Sequence, residues 1–120
     1  MILFINTTDF TTIHYALGLK GTKQVSGVFF EQQYQVDSHK SHELLGFLQK
    51  FFKKASIDLS FKTTDELQSG ITKIVVCKGP GSYTGTRIGV THALALGFSW
   101  SIPVTPLEKE LFAKELAKFS

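Results

Sequence analysis

The sequence predicts a mixed α/β fold in which a five-stranded sheet carries helices on both faces. Two observations favour it. Near the N-terminus, apolar residues recur at the strand period of two, with a turn-forming segment between the runs. Further along, helix-period segments alternate with short apolar runs, which is the pattern of parallel strands joined by crossover helices.

Three strands are predicted to open the chain. Residues 2–6, Ile-Leu-Phe-Ile-Asn, form a short apolar run typical of a strand buried on both faces. Residues 13–19 alternate in polarity, and residues 24–31 are rich in Val and Phe, so both segments predict strands. Because Lys-Gly-Thr-Lys at 20–23 suits a tight turn, we expect an antiparallel meander.

A long amphipathic helix is predicted next, from 38 to 55. Its apolar side chains cover an arc of roughly 160° when successive residues are placed about 100° apart. Either Asp37 or Ser38 suits its N-cap position. A one-turn helix over 64–70 follows, because Thr-Thr-Asp-Glu at 63–66 fits a capping box.

The C-terminal part alternates strands and helices. We expect a strand over 72–78, a helix over 86–101, a short strand over 102–105 and an amphipathic helix over 107–119. The order β-β-β-α-β-α-β-α is that of a ribonuclease-H-like domain and of one lobe of the actin-like ATPase fold. Since domains usually hold about 100–150 residues, we expect a single domain over 1–120.

Composition excludes several classes of site and of protein. Apolar residues make up 42% and charged residues 19%, as in an ordinary globular protein. The net charge of +3 is spread along the chain, without the clustered basic stripe of a dedicated nucleic-acid binder. A single cysteine, Cys77, excludes an intramolecular disulfide and a Cys-rich zinc site. The sequence shows neither a signal peptide nor a membrane-spanning apolar run, so we expect a cytoplasmic protein without membrane contact.

A glycine-rich segment joins a predicted strand to a predicted helix. Residues 79–89 read Gly-Pro-Gly-Ser-Tyr-Thr-Gly-Thr-Arg-Ile-Gly, in which Thr84 or Thr86 suits the helix cap. Backbone amides at a helix start attract anions, and an Arg strengthens that attraction. The candidate phosphate-binding turn consists of Gly79, Gly81, Ser82, Thr84, Gly85 and Arg87. The spacing matches neither the Walker A nor the dinucleotide motif, so the alternative, that the glycines only shape a tight turn, stays open.

The helix predicted over 86–101 is apolar on nearly all sides. Since one sheet covers only one face of a helix, we expect a partner to cover another face. Gly or Ala recurs every fourth residue from 89 to 97, which leaves a shallow groove for a second helix. The predicted partner interface on this helix and the first long helix consists of Leu44, Leu48, Phe51, Phe52, Gly89, Ala93, Leu96, Gly97 and Trp100. The alternatives are that the first long helix of the same chain covers this face, or that a C-terminal lobe once covered it.

Three segments resemble the TsaB family, also called YeaZ. The segment at 79–89 is similar to the family's Gly-Pro-Gly-Ser-Phe-Thr-Gly-Leu-Arg-Ile-Gly. The opening Ile-Leu-Phe-Ile-Asn-Thr-Thr at 2–8 resembles Ile-Leu-Ala-Ile-Asp-Thr-Ser, and Lys-Ser-His-Glu-Leu-Leu-Gly at 40–46 resembles His-Ser-Glu-x-Leu-Leu-Pro. The glycine-rich segment is the specific motif, and the other two support it.

The resemblance implies a non-catalytic scaffold without a cofactor. Members of the family pair with TsaD, the catalytic subunit that places a threonylcarbamoyl group on adenosine 37 of tRNA, and the ATPase TsaE completes the bacterial complex. The resemblance further implies docking through the two long helices, a homodimer when the protein is alone, and only indirect contact with tRNA. Because members usually carry a second lobe, it also implies that this chain is the N-terminal lobe. Lys40 and Gly46 depart from the family's His and Pro.

The alternative function is a nucleotide- or phosphate-binding lobe of an actin-like ATPase, with residues 6–8 and 79–85 as phosphate loops. Asn6 stands where the family usually has Asp, and an amide is a poorer ligand for a hard cation than a carboxylate. This departure counts against nucleotide turnover and against a ribonuclease-H-like nuclease. His39 and His42 are three residues apart but lack further ligands nearby, so no metal site is expected.

Overall fold

A five-stranded sheet and four helices make up the computed structural model, which describes residues 1–9, 11–19, 28–36 and 41–119. The strands are β1 (Ile2–Asn6), β2 (Thr12–Leu19), β3 (Val28–Gln35), β4 (Lys73–Cys77) and β5 (Val104–Leu107). The helices are α1 (Ser41–Asp58), α2 (Thr64–Ser69), α3 (Tyr83–Trp100) and α4 (Lys109–Ala117).

The strands lie in the order β3-β2-β1-β4-β5. The pairs β1–β2 and β2–β3 are antiparallel, whereas β1–β4 and β4–β5 are parallel. The predicted meander and the predicted crossover units are therefore both confirmed. Ile5 of β1 lies opposite Val76 of β4, so the carboxyl ends of these two strands meet at one edge of the sheet.

Helices cover both faces of the sheet, as predicted. Leu3 and Ile5 of β1 belong to the core under α1, α2 and α3. Phe4 points to the opposite face, where its ring meets Phe112 of α4 edge to face at a centroid distance of 5.8 Å. Because successive side chains of a strand alternate between faces, this covering explains why the first run is apolar at every position from Ile2 to Ile5.

Residues 24–27 of the predicted third strand lie outside the described residues. The described strand continues past its predicted end at residue 31 to Gln35, because it pairs with the whole of β2, from Leu19 opposite Val28 to Thr12 opposite Gln35. Cross-strand pairing thus extends the strand into polar residues that have little strand propensity of their own.

The start of α2 follows the predicted capping box. The Thr63 hydroxyl accepts a hydrogen bond from the backbone amide of Glu66 at 3.1 Å. The tight turn predicted at 20–23 and the helix cap predicted at Asp37 or Ser38 lie outside the described residues. Within the part of the chain that the structure describes, no helix is both long and apolar enough to cross a membrane.

Candidate partner-binding groove and glycine-rich turn

The glycine-rich turn packs directly against the end of β1. A Cβ atom at Gly81 would lie 2.6 Å from the Cβ of Thr8 and 2.7 Å from its carbonyl oxygen. A Cβ atom at Gly89, within α3, would collide with the hydroxyl of Thr7. These glycines are therefore required for the close approach of two backbone segments, which favours the interpretation that they shape a tight turn.

Hydrogen bonds hold the turn to the same strand end. The amide of Ser82 donates to the Thr8 carbonyl at 2.7 Å, and the Thr7 hydroxyl donates to the Gly85 carbonyl at 2.6 Å. The Ser82 hydroxyl in turn accepts from the Gly85 amide at 3.1 Å and caps α3. The helix therefore begins at Tyr83, three residues before the predicted start, because Ser82 is the cap rather than Thr84 or Thr86.

Within the candidate phosphate-binding turn, the Arg87 side chain is directed to Tyr83. Its guanidinium donates to the Tyr83 hydroxyl at 2.9 Å and lies 5.3 Å from the centroid of that ring. Gly79 has a φ of 106°, a backbone conformation that favours glycine. Phosphate binding by these residues stays a prediction, whereas their role in shaping the turn is visible in the contacts with β1.

A polar pocket of about 240 Å³ lies beside the turn, at the carboxyl end of β1. It is lined by Asn6, Thr8, Asp9, Thr12, His14, Gln33 and Lys109. The Asn6 side-chain oxygen accepts hydrogen bonds from the Thr8 amide at 3.0 Å and from the Thr8 hydroxyl at 2.7 Å. That oxygen is therefore already used inside the chain. Among the described residues, no group of three or more His, Cys, Asp or Glu side chains is placed to hold a metal ion.

Eight of the nine residues predicted at the partner interface are buried inside this chain, namely Leu44, Leu48, Phe51, Phe52, Gly89, Ala93, Leu96 and Gly97. The broad apolar face of α1 covers the chain's own core. The small residues of α3 face the sheet, where a Cβ atom at Gly97 would collide with Val104. The remaining residue, Trp100, is half-buried beside Phe52, with a ring-centroid distance of 5.8 Å. In the single chain these eight residues leave little surface for a partner, and partner binding by the two helices stays a prediction.

A different set of side chains faces outward from α3. Tyr83, Arg87, Thr91, Leu94 and Phe98 recur at steps of three or four residues and are all exposed, so they form one stripe along the helix. We call these five residues the outer stripe. Phe98 is 90% exposed and Leu94 is 51% exposed. Large apolar side chains grouped in this way on one face are typical of an interaction surface.

A groove of about 400 Å³ separates α1 from α3 next to the outer stripe. It is lined by Leu44, Tyr83, Thr84, Arg87, Ile88, Thr91, His92 and Ala95. Leu44 comes from α1, and the other lining residues come from α3. The groove therefore exists only because the two helices are packed on the same sheet.

His92 connects the groove to the core. Its Nε2 lies 2.9 Å from the hydroxyl of Tyr15, and that hydroxyl donates to the Leu44 carbonyl at 3.1 Å. Burial lowers the pKa of His92 to about 4, and burial also raises the pKa of Tyr15, with a smaller contribution from Tyr34. Both groups are therefore uncharged near neutral pH. The sequence pattern gave no sign of this contact, because Tyr15 and His92 are 77 residues apart.

Comparisons with known proteins agree on one family. The family described as TsaD, tRNA N6-adenosine threonylcarbamoyltransferase, matches residues 34–109. The tRNA threonylcarbamoyladenosine biosynthesis protein TsaB of Bacillus subtilis (strain 168) is 56% identical over 41 residues, which cover 34% of this chain and 18% of that protein.

Two solved structures share the fold. YeaZ from Pseudomonas aeruginosa superposes with a TM-score of 0.66 at 20% identity, over 89% of this chain and 42% of that chain. A second structure, of an uncharacterised protein with similarity to the peptidase YeaZ from Pseudomonas aeruginosa, gives a TM-score of 0.68 with the same identity and coverage. These likenesses confirm the predicted fold class.

The chain spans less than half the length of these relatives. The family match, in contrast, extends over more than half of the chain, from β3 into α4. It includes the whole glycine-rich turn and both helices that border the groove. The chain therefore belongs to the family described as TsaD, and part of it is similar to the TsaB protein of Bacillus subtilis.

Proposed function

We propose that this chain is a non-catalytic scaffold subunit that binds a TsaD-type catalytic subunit in the cytoplasm. In that role it supports threonylcarbamoylation of adenosine 37 in tRNA, while its own contact with tRNA is only indirect. The names of the matched family and of the Bacillus subtilis relative support the process. The TsaE-type ATPase belongs to the same proposed complex, and the chain forms a homodimer when it is alone.

The outer stripe carries this proposal. Burying a large apolar side chain contributes about 1.5–3 kcal/mol, and the stripe offers Leu94 and Phe98 in this way. The outward face of α1 also exposes Leu45 and Ile57, but it carries Lys50, Lys53 and Lys54 between them in exposed positions. We therefore place the centre of the interface on α3, with α1 contributing its N-terminal half at the rim of the groove.

The chemistry of the described side chains supports a role without catalysis. The Ser82 hydroxyl serves as a helix cap, and the Cys77 thiol is buried in the sheet. The pKa of His92 is far below neutrality, and its Nε2 is already bonded to Tyr15. None of these groups is arranged as a nucleophile beside a base.

A matched pair of variants tests the interface. Leu94→Asp places a charge on the outer stripe, whereas Leu111→Asp places one on α4 at a side chain of nearly the same exposure, 49% against 51%. Because burying an unpaired carboxylate in an apolar contact is costly, we expect Leu94→Asp to weaken binding of the TsaD-type subunit at least tenfold. We expect Leu111→Asp to bind as the wild type does.

Calorimetry of each variant against the TsaD-type subunit of the same genome measures the affinity. Light scattering after size exclusion measures homodimer formation, which we expect Leu94→Asp to abolish as well. Equal affinity of both variants for the partner would place the interface elsewhere. No binding by the wild-type chain would overturn the proposed function.

A second candidate is a nucleotide- or phosphate-binding lobe, which the polar pocket favours. Lys109 brings a positive charge to its lining, and the Asn6 amide group brings a donor. Asn6 is nevertheless a weaker metal ligand than Asp, and its oxygen is occupied by Thr8. We therefore rank the scaffold first.

A further inference from the structure

We infer that the groove between α1 and α3 recognises a neutral hydrogen-bond donor on the docking partner, a hydroxyl or carboxamide group, and that Nδ1 of His92 accepts it. This inference rests on the proposed function, since it names the chemistry by which the docking subunit would be selected. Three properties of the groove carry it: the proton position on His92, the access to Nδ1, and the charge of the lining.

The contacts of Tyr15 assign the proton of His92. The Tyr15 hydroxyl has one hydrogen, and the Leu44 carbonyl 3.1 Å away can only accept it. Both short contacts of this hydroxyl are hydrogen bonds only when its oxygen accepts from Nε2 of His92, at 2.9 Å. Nε2 then carries the hydrogen of the neutral imidazole, and Nδ1 keeps a free lone pair.

Nδ1 of His92 is not sealed inside the protein. Within the described ranges, the side-chain nitrogen and oxygen atoms that are fully buried without a partner are Ser56 Oγ and Thr86 Oγ1. Nδ1 is not one of them, although the only hydrogen bond of the His92 ring in this part of the chain is that of Nε2. Since His92 also lines the groove, its acceptor atom is open to whatever enters there.

The charge of the lining disfavours a cationic donor. Among the described residues that line the groove, Arg87 is the single charged one. Its guanidinium lies over the Tyr83 ring, and within the described ranges no carboxylate neutralises it. This charge disfavours a Lys or Arg of the partner at the same place, so we take the group that meets Nδ1 to be neutral.

Docking makes this acceptor selective. When a partner fills the groove, Nδ1 loses its contact with water. If the partner offers no donor there, the desolvation of Nδ1 reduces the binding free energy. A partner segment with only apolar side chains would therefore bind less well than one carrying Ser, Thr, Asn or Gln at this point. The groove volume of about 400 Å³ leaves room for such a side chain.

Two measurements test the inference. Nitrogen-15 NMR of the imidazole rings, first on the free chain and then with the TsaD-type subunit added, reports which nitrogen carries the proton. We expect a protonated Nε2 and a bare Nδ1 in the free chain, with a shift of the Nδ1 resonance on binding. His92→Phe removes Nδ1 but leaves Tyr15 bonded to Leu44, so we expect a folded chain that binds the subunit roughly tenfold more weakly.

His14→Phe is the matched control, because His14 lies on β2 beside Glu31 and outside the groove. We expect it to bind as the wild type does. A proton on Nδ1 in the free chain would overturn the inference and leave the proposed function standing. Wild-type affinity of His92→Phe would do the same. Absence of any binding by the wild-type chain would overturn both.

Discussion

Burial of His92 makes the stability of the fold depend on pH. In the folded chain burial lowers the pKa of His92 to about 4, from an ordinary value of 6.5. Between these two pH values His92 is protonated in the unfolded chain and neutral in the folded chain. The free energy of unfolding therefore falls as the pH drops below 6.5, and this contribution stops changing below about pH 4.

The size of the effect follows from the two pKa values. Linkage predicts a loss of about 2 kcal/mol between pH 7 and pH 5 from this one side chain. Two-state domains of this size have a total stability of roughly 5–15 kcal/mol, so the loss is large enough to measure. The neighbouring Tyr15 stays protonated over this range, because burial raises its pKa.

Urea unfolding followed by circular dichroism at pH 7, 6 and 5 measures this loss. His92→Phe replaces the titrating group with a ring that carries no charge. The difference in stability between this variant and the wild type should therefore shift by about 2 kcal/mol in favour of the variant from pH 7 to pH 5. His14→Phe keeps His92 and should retain the wild-type loss. If the wild type and His92→Phe lost stability in parallel, the assignment of a buried neutral His92 would be refuted.

Two further predictions concern the glycine-rich turn and the polar pocket. Gly81→Ala should destabilise the chain by about 1–3 kcal/mol, because the added Cβ atom meets Thr8 at 2.6 Å. The control is Gly46→Ala, at an exposed position of α1 where the added Cβ atom meets nothing within 4 Å; it should stabilise the chain by about 0.5–1 kcal/mol. Urea unfolding compares the two variants, and equal effects would contradict the packing argument. Titration of the chain with magnesium-ATP should give no saturable heat, since Asn6 already uses its oxygen on Thr8; saturable, magnesium-dependent binding would move the nucleotide-binding function to the front.

Local sequence patterns determined most of the secondary structure. The doubly buried strand β1 could be predicted from its uninterrupted apolar run, because both of its faces are covered. The start of α2 could be predicted from its capping box, because Thr63 and Glu66 are only three residues apart. The end of β3 could not be predicted from its own residues, because it depends on pairing with β2.

The glycine spacing marked the turn at 79–89 but not the reason for it. The reason is contact with Thr7 and Thr8, and the hydrogen bond from Thr7 to Gly85 joins residues 78 positions apart. A motif read by itself was equally consistent with an anion site. The filled space between the turn and β1 became visible only when both segments were placed on the sheet.

Helical periodicity alone predicts that α3 is apolar on nearly all sides and needs cover on more than one of them. It did not determine which side faces the sheet. The tertiary structure decided this by steric fit, because only Gly89 and Gly97 allow the helix backbone to approach Thr7 and Val104 so closely. That choice directs Leu94 and Phe98 outward, and it brings His92 against Tyr15 at the edge of the groove.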